Sequence, residues 1–307
     1  MSVQSKENNN VLVTGGTGFL GNYIVQHLKD SGYQVASLGR TGKPDMICDL
    51  GEQVPELGGK GFNVVVHAAG KAHMVPRTAE EKDAFFKVNL NGTINLCRAL
   101  EQGPLPRSFV FISTVAVYGR ETGERIAEDH PLLGSSPYAE SKIRAEAFLT
   151  DWCNKNNIIL SILRLPLIVG HNAPGNLGKM VKAIGKRRFF YIGSHNPGKS
   201  MVLAQDVAKI IPAAMNVPGI YNLTDGDHPT FRALGQKIAG DLKIQAPFML
   251  PVWPFRILGK IGDAFGGIVP FNTNTFQKMI SPLTFDDSKA RTALNWDPEP
   301  VLNTSFV

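Results

Sequence analysis

One short stretch near the amino terminus constrains the fold most: Val11-Leu12-Val13-Thr14-Gly15-Gly16-Thr17-Gly18-Phe19-Leu20-Gly21. Val11 to Val13 is a brief apolar run, the pattern of a strand buried on both faces. Gly15, Gly18 and Gly21 follow at G-x-x-G-x-x-G spacing, and Tyr23, Ile24 and Leu28 then recur at helical spacing. Such a turn needs glycine where the backbone bends, where it nears a ligand and where helix packs on strand. The helix amino terminus adds free N–H groups and partial positive charge, the features that hold phosphate. Strand, turn and helix therefore read as the first half of a dinucleotide-binding unit, with Gly15, Gly18, Phe19, Leu20 and Gly21 facing the pyrophosphate. A glycine-rich turn without a ligand would show the same spacing, so the rest of the chain decides.

At 307 residues, 43% hydrophobic and 19% charged, the chain has an ordinary globular composition. The length suits one large α/β domain with a smaller second lobe. The net charge is +6, but no basic block is interleaved with aromatics as in a nucleic-acid binder. Lys186-Arg187-Arg188 reads as a solvated face, and the surplus charge points to a small anionic ligand. Cys48, Cys97 and Cys153 are far apart and read as free thiols of a reducing compartment. The seven histidines form no metal-ligand spacing, so no metal is expected. Met1 to Asn10 is polar, lacks a signal core and reads as a disordered leader. The apolar stretch Pro247 to Phe271 is broken by Pro251, Pro254, Arg256, Lys260 and Asp263, so it does not read as a membrane span. These features predict a cytoplasmic protein with neither nucleic acid nor membrane as partner.

A second strand, Gln34 to Leu38, leads to Gly39 and Arg40, with no Asp or Glu from Tyr33 to Pro44. A carboxylate here binds the ribose 2′-hydroxyl of NAD, whereas arginine accommodates the 2′-phosphate of NADP. Arg40 predicts NADP; NAD remains open if Arg40 is simply a surface residue. Ile47-Cys48-Asp49-Leu50 reads as a third strand end, with Asp49 and Leu50 near the adenine or Asp49 merely a loop aspartate. Asn63 to Gly70 is the next strand and its exit. Small Ala68, Ala69 and Gly70 let a flat ring or ribose lie against the backbone. His67 reads as a packed strand-end histidine, and Lys71 and His73 face either the cleft or water. A helix is predicted from Glu80 to Gln102, with polar Asn89 among its apolar residues, either bracing the fold or touching the cofactor.

Phe109 to Ile112 is a continuous apolar strand whose carboxyl end carries Ser113 and Thr114. Ligands gather at the carboxyl ends of strands in open parallel sheets. Downstream, Ser136 suits a helix N-cap and Pro137 a first helical residue. Tyr138 and Lys142, four apart, then share one helix face. A free phenol, with pKa about 10, is a poor acid–base group at neutral pH, and a nearby ammonium lowers that value. The pair therefore reads as a tuned proton donor and acceptor.

Taken together, these stretches resemble an extended short-chain dehydrogenase/reductase of the NAD(P)-dependent nucleotide-sugar epimerase/dehydratase/reductase branch. The motifs are Thr14 to Gly21, His67-Ala68-Ala69-Gly70, Asn89 with Gly92-Thr93, Ile112-Ser113-Thr114 with Val117-Tyr118-Gly119, Tyr138 to Lys142, and Arg164-Leu165-Pro166 with Gly170. The resemblance implies that Thr114, Tyr138 and Lys142 are catalytic and that Lys142 also binds nicotinamide ribose. It implies that the turn after Leu165 passes the nicotinamide, and that Lys71, Thr114, Asn176 and Leu177 lie on the substrate side. Related 4,6-dehydratases carry an acidic pair directly after the threonine; Val115-Ala116 stands here, which disfavours dehydration. Where related chains carry arginine before the strand Ser200 to Leu203, this one has Lys199. A closing helix is usual beyond Pro298, and this sequence stops at Val307.

The expected architecture is a Rossmann-type doubly wound parallel sheet over residues 1–169. A smaller C-terminal substrate lobe over 170–307 follows, with segments near 200–223 returning to the sheet. Helices are predicted over Asn176 to Lys186, Phe231 to Leu242 and Pro254 to Gly266. The expected function is a 4-ketoreductase acting on a nucleotide-diphosphate sugar with NADPH. A 4-epimerase with tightly bound NAD is the alternative, and a non-enzymatic dinucleotide sensor the remote one. The resemblance also implies a homodimer.

Overall fold

The computed structural model describes residues 9–72, 74–193, 197–257 and 280–306. The first half of the chain alternates strand and helix: β1 (Asn10–Thr14), α1 (Phe19–Asp30), β2 (Gln34–Gly39), β3 (Met46–Ile47), β4 (Val64–His67), α2 (Ala79–Phe86), α3 (Gly92–Leu100), β5 (Ser108–Thr114), β6 (Gly123–Ile126), α4 (Pro137–Lys155) and β7 (Ile159–Leu165). The second half runs β8 (Leu167–Val169), α5 (Gly175–Gly185), β9 (Phe190–Ile192), β10 (Met201–Leu203), α6 (Ala204–Ala214), β11 (Gly219–Asn222), α7 (Phe231–Asp241), β12 (Phe248–Leu250), β13 (Leu283–Phe285) and α8 (Ser288–Leu294).

Seven parallel strands form the main sheet in the order β11-β7-β5-β4-β1-β2-β3. The direction of winding reverses between β1 and β4, and that switch point opens a crevice at the carboxyl ends of the strands. Period-two alternation explains the two core layers. Val11 and Val13 of β1 face one layer with Ile24 and Leu28 of α1 and Val207 and Ile211 of α6. Leu12 faces the other, with Leu96 of α3 and Leu149 and Trp152 of α4. A third core joins Leu177, Met180 and Ile184 of α5 to Leu234 and Ile238 of α7, which builds the second lobe. Among the described residues, two-stranded parallel pairs β8–β10, β9–β12 and β6–β13 accompany the main sheet. Cys48, Cys97 and Cys153 are buried free thiols.

The helix expected from Glu80 to Gln102 is not continuous. A π-helical turn, Lys87–Asn91, separates α2 from α3. The extra residue of a π turn rotates one side chain out of helical register. Here it carries Asn89 into the interior, where it is fully buried. The third strand is also shorter than expected: β3 ends at Ile47, and Asp49 and Leu50 lie in the following turn. Of the helix expected over Pro254 to Gly266, residues 258–266 lie outside the described residues, as do 1–8 of the leader and His73.

Candidate active site

The site is built by α4 crossing the carboxyl end of β5. Ser136 caps α4, its Oγ accepting from the Ala139 N–H at 3.2 Å, and Pro137 opens the first turn. The start of α4 is thereby fixed, and Tyr138, Lys142 and Glu146 follow at one-turn intervals along a single face. The Thr114 hydroxyl, at the end of β5, lies beside the Tyr138 phenol and favours the phenolate. Burial acts the other way and prevails, holding the phenol above its ordinary value. This reverses the lowered pKa expected from sequence. Lys142 Nζ donates to Ile112 O at 2.8 Å and lies 4.4 Å from the centre of the Phe111 ring, rather than being directed at the phenol. Burial pulls the Lys142 ammonium down to about 8, against the opposing pull of Glu146.

Behind these groups lies a buried ion pair whose charged partners the sequence did not connect. Arg164, in β7, donates from Nη2 to Glu146 Oε2 at 2.7 Å and from Nε to Oε1 at 3.2 Å. Both side chains are almost wholly enclosed, at 2% and 4% exposed. Ser113 donates to the same carboxylate, so its hydroxyl faces the pair. Arg164 also donates to Tyr118 Oη at 3.1 Å, and Tyr118 donates to Asn222 Oδ1 at 2.7 Å. The available signal was a lone charged residue in the strand Ile159 to Leu165, since a buried charge requires a partner.

The crevice beside Lys142 fits a dinucleotide. Gly15 has φ +71°, and a Cβ there would stand 2.7 Å from the Ala69 nitrogen. At Gly21 a Cβ would stand 2.0 Å from Gly15 O, so only glycine lets α1 pack on the turn. The N-cap of α1 is Gly18, with no side-chain cap, which leaves the first N–H groups of Phe19 and Leu20 for an anion. Gly70 completes the wall: a Cβ there would lie 3.4 Å from Lys142 Nζ and 3.2 Å from Asn89 Oδ1. Ala68 and Ala69 pack partly on the two sheet cores.

Asn89 is a brace. Its Oδ1 accepts from Lys71 N at 2.7 Å, and its two amide protons go to Lys71 O at 3.1 Å and Ser141 Oγ at 2.9 Å. Of the two roles read from sequence, bracing the fold or touching the cofactor, the hydrogen bonds show the brace, a clamp between the exit of β4 and α4. A second relay stiffens the switch point. Thr93 donates its single proton to Asn89 O at 2.7 Å, so His67 Nε2 must donate to Thr93, at 2.9 Å. His67 Nδ1 then accepts from Thr14 at 2.6 Å. Burial, helped by the Lys142 charge, keeps this imidazole neutral with a pKa of about 3.

Arg40, two-thirds exposed, lies 3.5 Å from Asp49, whose other oxygen accepts from Gly51 N at 3.0 Å. Both residues, with Lys71 and Arg144, line an open cavity of about 950 Å³. Leu50 and Leu165 are buried in the two cores on either side of the sheet. Lys71 Nζ stands 5.9 Å from the Phe85 ring. On the lobe side, Asn176 is exposed on the first turn of α5, whereas the Leu177 side chain is buried in the lobe core. The substrate-side role expected of Leu177 would therefore fall to its backbone.

Residues 11–224 match the NAD dependent epimerase/dehydratase family. The chain is 26% identical to a UDP-glucose 4-epimerase of Vibrio cholerae, over 96% of this chain and 93% of that protein. It is 27% identical to the N-acetyl-alpha-D-glucosaminyl-diphospho-ditrans,octacis-undecaprenol 4-epimerase of Escherichia coli O157:H7, over 82% of this chain and 78% of that one. Among solved structures, the UDP-glucose 4-epimerase of Thermus thermophilus in complex with NAD superposes with a TM-score of 0.72 at 27% identity, covering 94% of this chain and 93% of that one. The glycine turn, the seven-stranded order and the match across 11–224 lead to one assignment: the chain belongs to the NAD dependent epimerase/dehydratase family and is an enzyme of the extended short-chain dehydrogenase/reductase type.

Proposed function

We propose that the protein is a 4-epimerase of a nucleotide-diphosphate sugar that keeps a nicotinamide dinucleotide bound between turnovers. This replaces 4-ketoreductase as the leading reading, because 4-epimerases stand among the relatives that align over most of the chain. The observation that carries it is the juxtaposition of Thr114 and Tyr138 at the carboxyl end of β5, beside the buried Lys142 and the Gly70 wall.

When bound, the nicotinamide supplies the redox step, taking hydride from sugar C4 and returning it to the opposite face. Gly15, Gly18, Phe19, Leu20 and Gly21 hold its pyrophosphate, Ala68 to Gly70 and the turn after Leu165 flank it, and Asp49 and Leu50 lie towards its adenine. Lys142 reaches its ribose. Thr114 holds the C4 oxygen, and Tyr138 exchanges the proton on that oxygen. Tyr138, protonated at neutral pH, is ready to donate in the reducing half. Oxidation requires the phenolate, and Lys142 is the cation on the same helix face. Lys71 and Asn176 lie where the donor's diphosphate enters between sheet and second lobe. No acidic pair follows Thr114, so the site holds a keto sugar without eliminating water.

A specific observation supports NADPH-dependent 4-ketoreduction as the second reading: Arg40 directly follows β2, is two-thirds exposed, and no Asp or Glu occurs from Tyr33 to Pro44, although Asp49 stands 3.5 Å away. The test is incubation with UDP-glucose and UDP-N-acetylglucosamine, with each nicotinamide cofactor, followed by proton NMR and nicotinamide absorbance. The 4-epimer should form with no net change in absorbance. In a parallel incubation with a UDP-4-keto sugar, stoichiometric loss of NADPH absorbance would favour the reductase instead. Neither outcome on either donor would refute the reading.

A further inference from the structure

We propose that the outer edge of the second lobe is a peripheral docking surface for an anionic lipid bilayer. Among the described residues, strands β9 and β12 form a separate two-stranded sheet, with Phe190 opposite Phe248. The Phe190 ring lies 6.2 Å from that of Phe248 and 5.9 Å from that of Phe255. Phe248 and Met249 are neighbours in an extended strand and so point to opposite faces, yet they are 60% and 42% exposed. Both faces of β12 are therefore open to solvent. Trp253 and Ile257, just beyond, are 66% and 51% exposed. A two-stranded sheet is marginal in water, and a contiguous apolar patch of this kind marks an interaction surface.

Charge selects the occupant. Lys186, Arg187 and Arg188 are exposed immediately before β9, Lys243 before β12, and Arg256 beside Phe255. Their position is fixed, because the Arg187 and Arg188 N–H groups close the end of α5 on Ile184 O and Ala183 O. Neither 182–193 nor 243–257 contains an Asp or Glu. The basic run read from sequence as a solvated face thus borders exposed aromatics. A second copy of the chain would bring like charge against like charge. Aromatic side chains with a cationic rim, as the described residues give it, match the boundary of a bilayer that carries anionic headgroups. No helix among the described residues is long and apolar enough to cross a membrane, so the contact is one of surface docking.

The protein carries its own probe. Of the three tryptophans in the sequence, Trp152 and Trp296 are buried, at 7% and 3% exposed, and Trp253 is open. The full chain is mixed with vesicles of phosphatidylcholine alone, or with one part phosphatidylglycerol to two of phosphatidylcholine, at low and high salt. Co-sedimentation and a blue shift of tryptophan emission are expected with the anionic vesicles only, and both should weaken at high salt. Each Lys or Arg near such a surface contributes about a fivefold gain in binding, so replacing Lys186, Arg187 and Arg188 together by Ser should weaken it about 100-fold. Trp253→Phe should remove the emission shift while keeping sedimentation. No sedimentation with anionic vesicles, or equal sedimentation of the triple variant, would overturn the proposal. So would a concentration-dependent dimer that Phe248→Ser disrupts, since the patch would then serve a protein contact.

Discussion

Replacing Glu146 by Leu should damage the protein in two separable ways. The carboxylate accepts two hydrogen bonds from Arg164 and one from Ser113, and both charged side chains are almost fully enclosed. Removing one member of a buried pair leaves the other charge uncompensated, at about 3–5 kcal/mol. The stranded Ser113 hydroxyl adds about 1 kcal/mol. Unfolding entropy near 2.1 cal/mol/K per residue makes this a fall in Tm of roughly 6–10 °C for a chain of this length. Removing Arg164 as well should restore much of the loss, because an apolar pair carries no stranded charge. The double variant Glu146→Leu/Arg164→Met should therefore show a coupling of at least about 2 kcal/mol in urea titrations. The second effect is electrostatic. Glu146 raises the Lys142 pKa against burial, which sets it at about 8. Without Glu146 the ammonium is lost at lower pH, so the alkaline fall in kcat/KM should move to lower pH. A single variant that loses less than about 1 kcal/mol, or a double variant equal to the sum of its parts, would refute the account.

Other outcomes can be measured on the same preparation. Tyr138→Phe should reduce turnover by ~100- to 10,000-fold while sparing dinucleotide affinity by calorimetry, as expected of a proton-transfer group. Gly21→Ala should abolish dinucleotide binding, because its Cβ would stand 2.0 Å from Gly15 O; Gly240→Ala in α7 meets nothing within 4 Å and should stabilise by about 0.5–1 kcal/mol. His67 has a folded pKa of about 3, lowered from 6.5. Below 6.5 the unfolded chain therefore binds a proton that the folded chain refuses, and stability falls as pH drops. The resulting loss is about 2 kcal/mol by pH 5, read from urea midpoints, and His67→Gln should lack it.

The parts of the site that depend on local spacing were legible in the sequence. Val11 to Gly21 specifies its strand, turn and helix through residues within a few positions of each other. Ser136-Pro137 likewise fixes the start of α4 and hence the shared face of Tyr138 and Lys142. What escaped depends on partners distant in sequence. The π turn exists because Asn89 can satisfy Lys71 and Ser141, which lie 18 and 52 residues away. The apolar spacing of Phe85, Leu96 and Leu100 carries no trace of that clamp. The sign of the Tyr138 shift was missed for a related reason: an i,i+4 lysine suggests proximity, but desolvation is a property of the packed site. The aromatic edge of the second lobe was hidden because apolar residues in β9 and β12 read the same whether a core covers them or not.

Stability and chemistry meet on one face of α4. Tyr138, Lys142 and Glu146 occupy successive turns; Lys142 and Glu146 are tied to Ile112 and Ser113 at the end of β5, with Thr114 beside Tyr138. The helix cannot slide along the strand without breaking both ties. Lys142 is the member whose retention needs explaining. With a folded pKa of about 8 against 10.5, its protonated form is disfavoured by about 3 kcal/mol, and between those values stability should rise with pH. Lys142→Met relieves that penalty but leaves the Ile112 carbonyl without a donor, at about 1–3 kcal/mol. The two nearly cancel, so the variant should melt within a few degrees of the parent and lose the pH-dependent rise. Its turnover should nevertheless fall at least ~100-fold. A stable variant with full turnover would show that the ammonium is retained for neither stability nor chemistry, and the role given to Lys142 beside Tyr138 would be wrong.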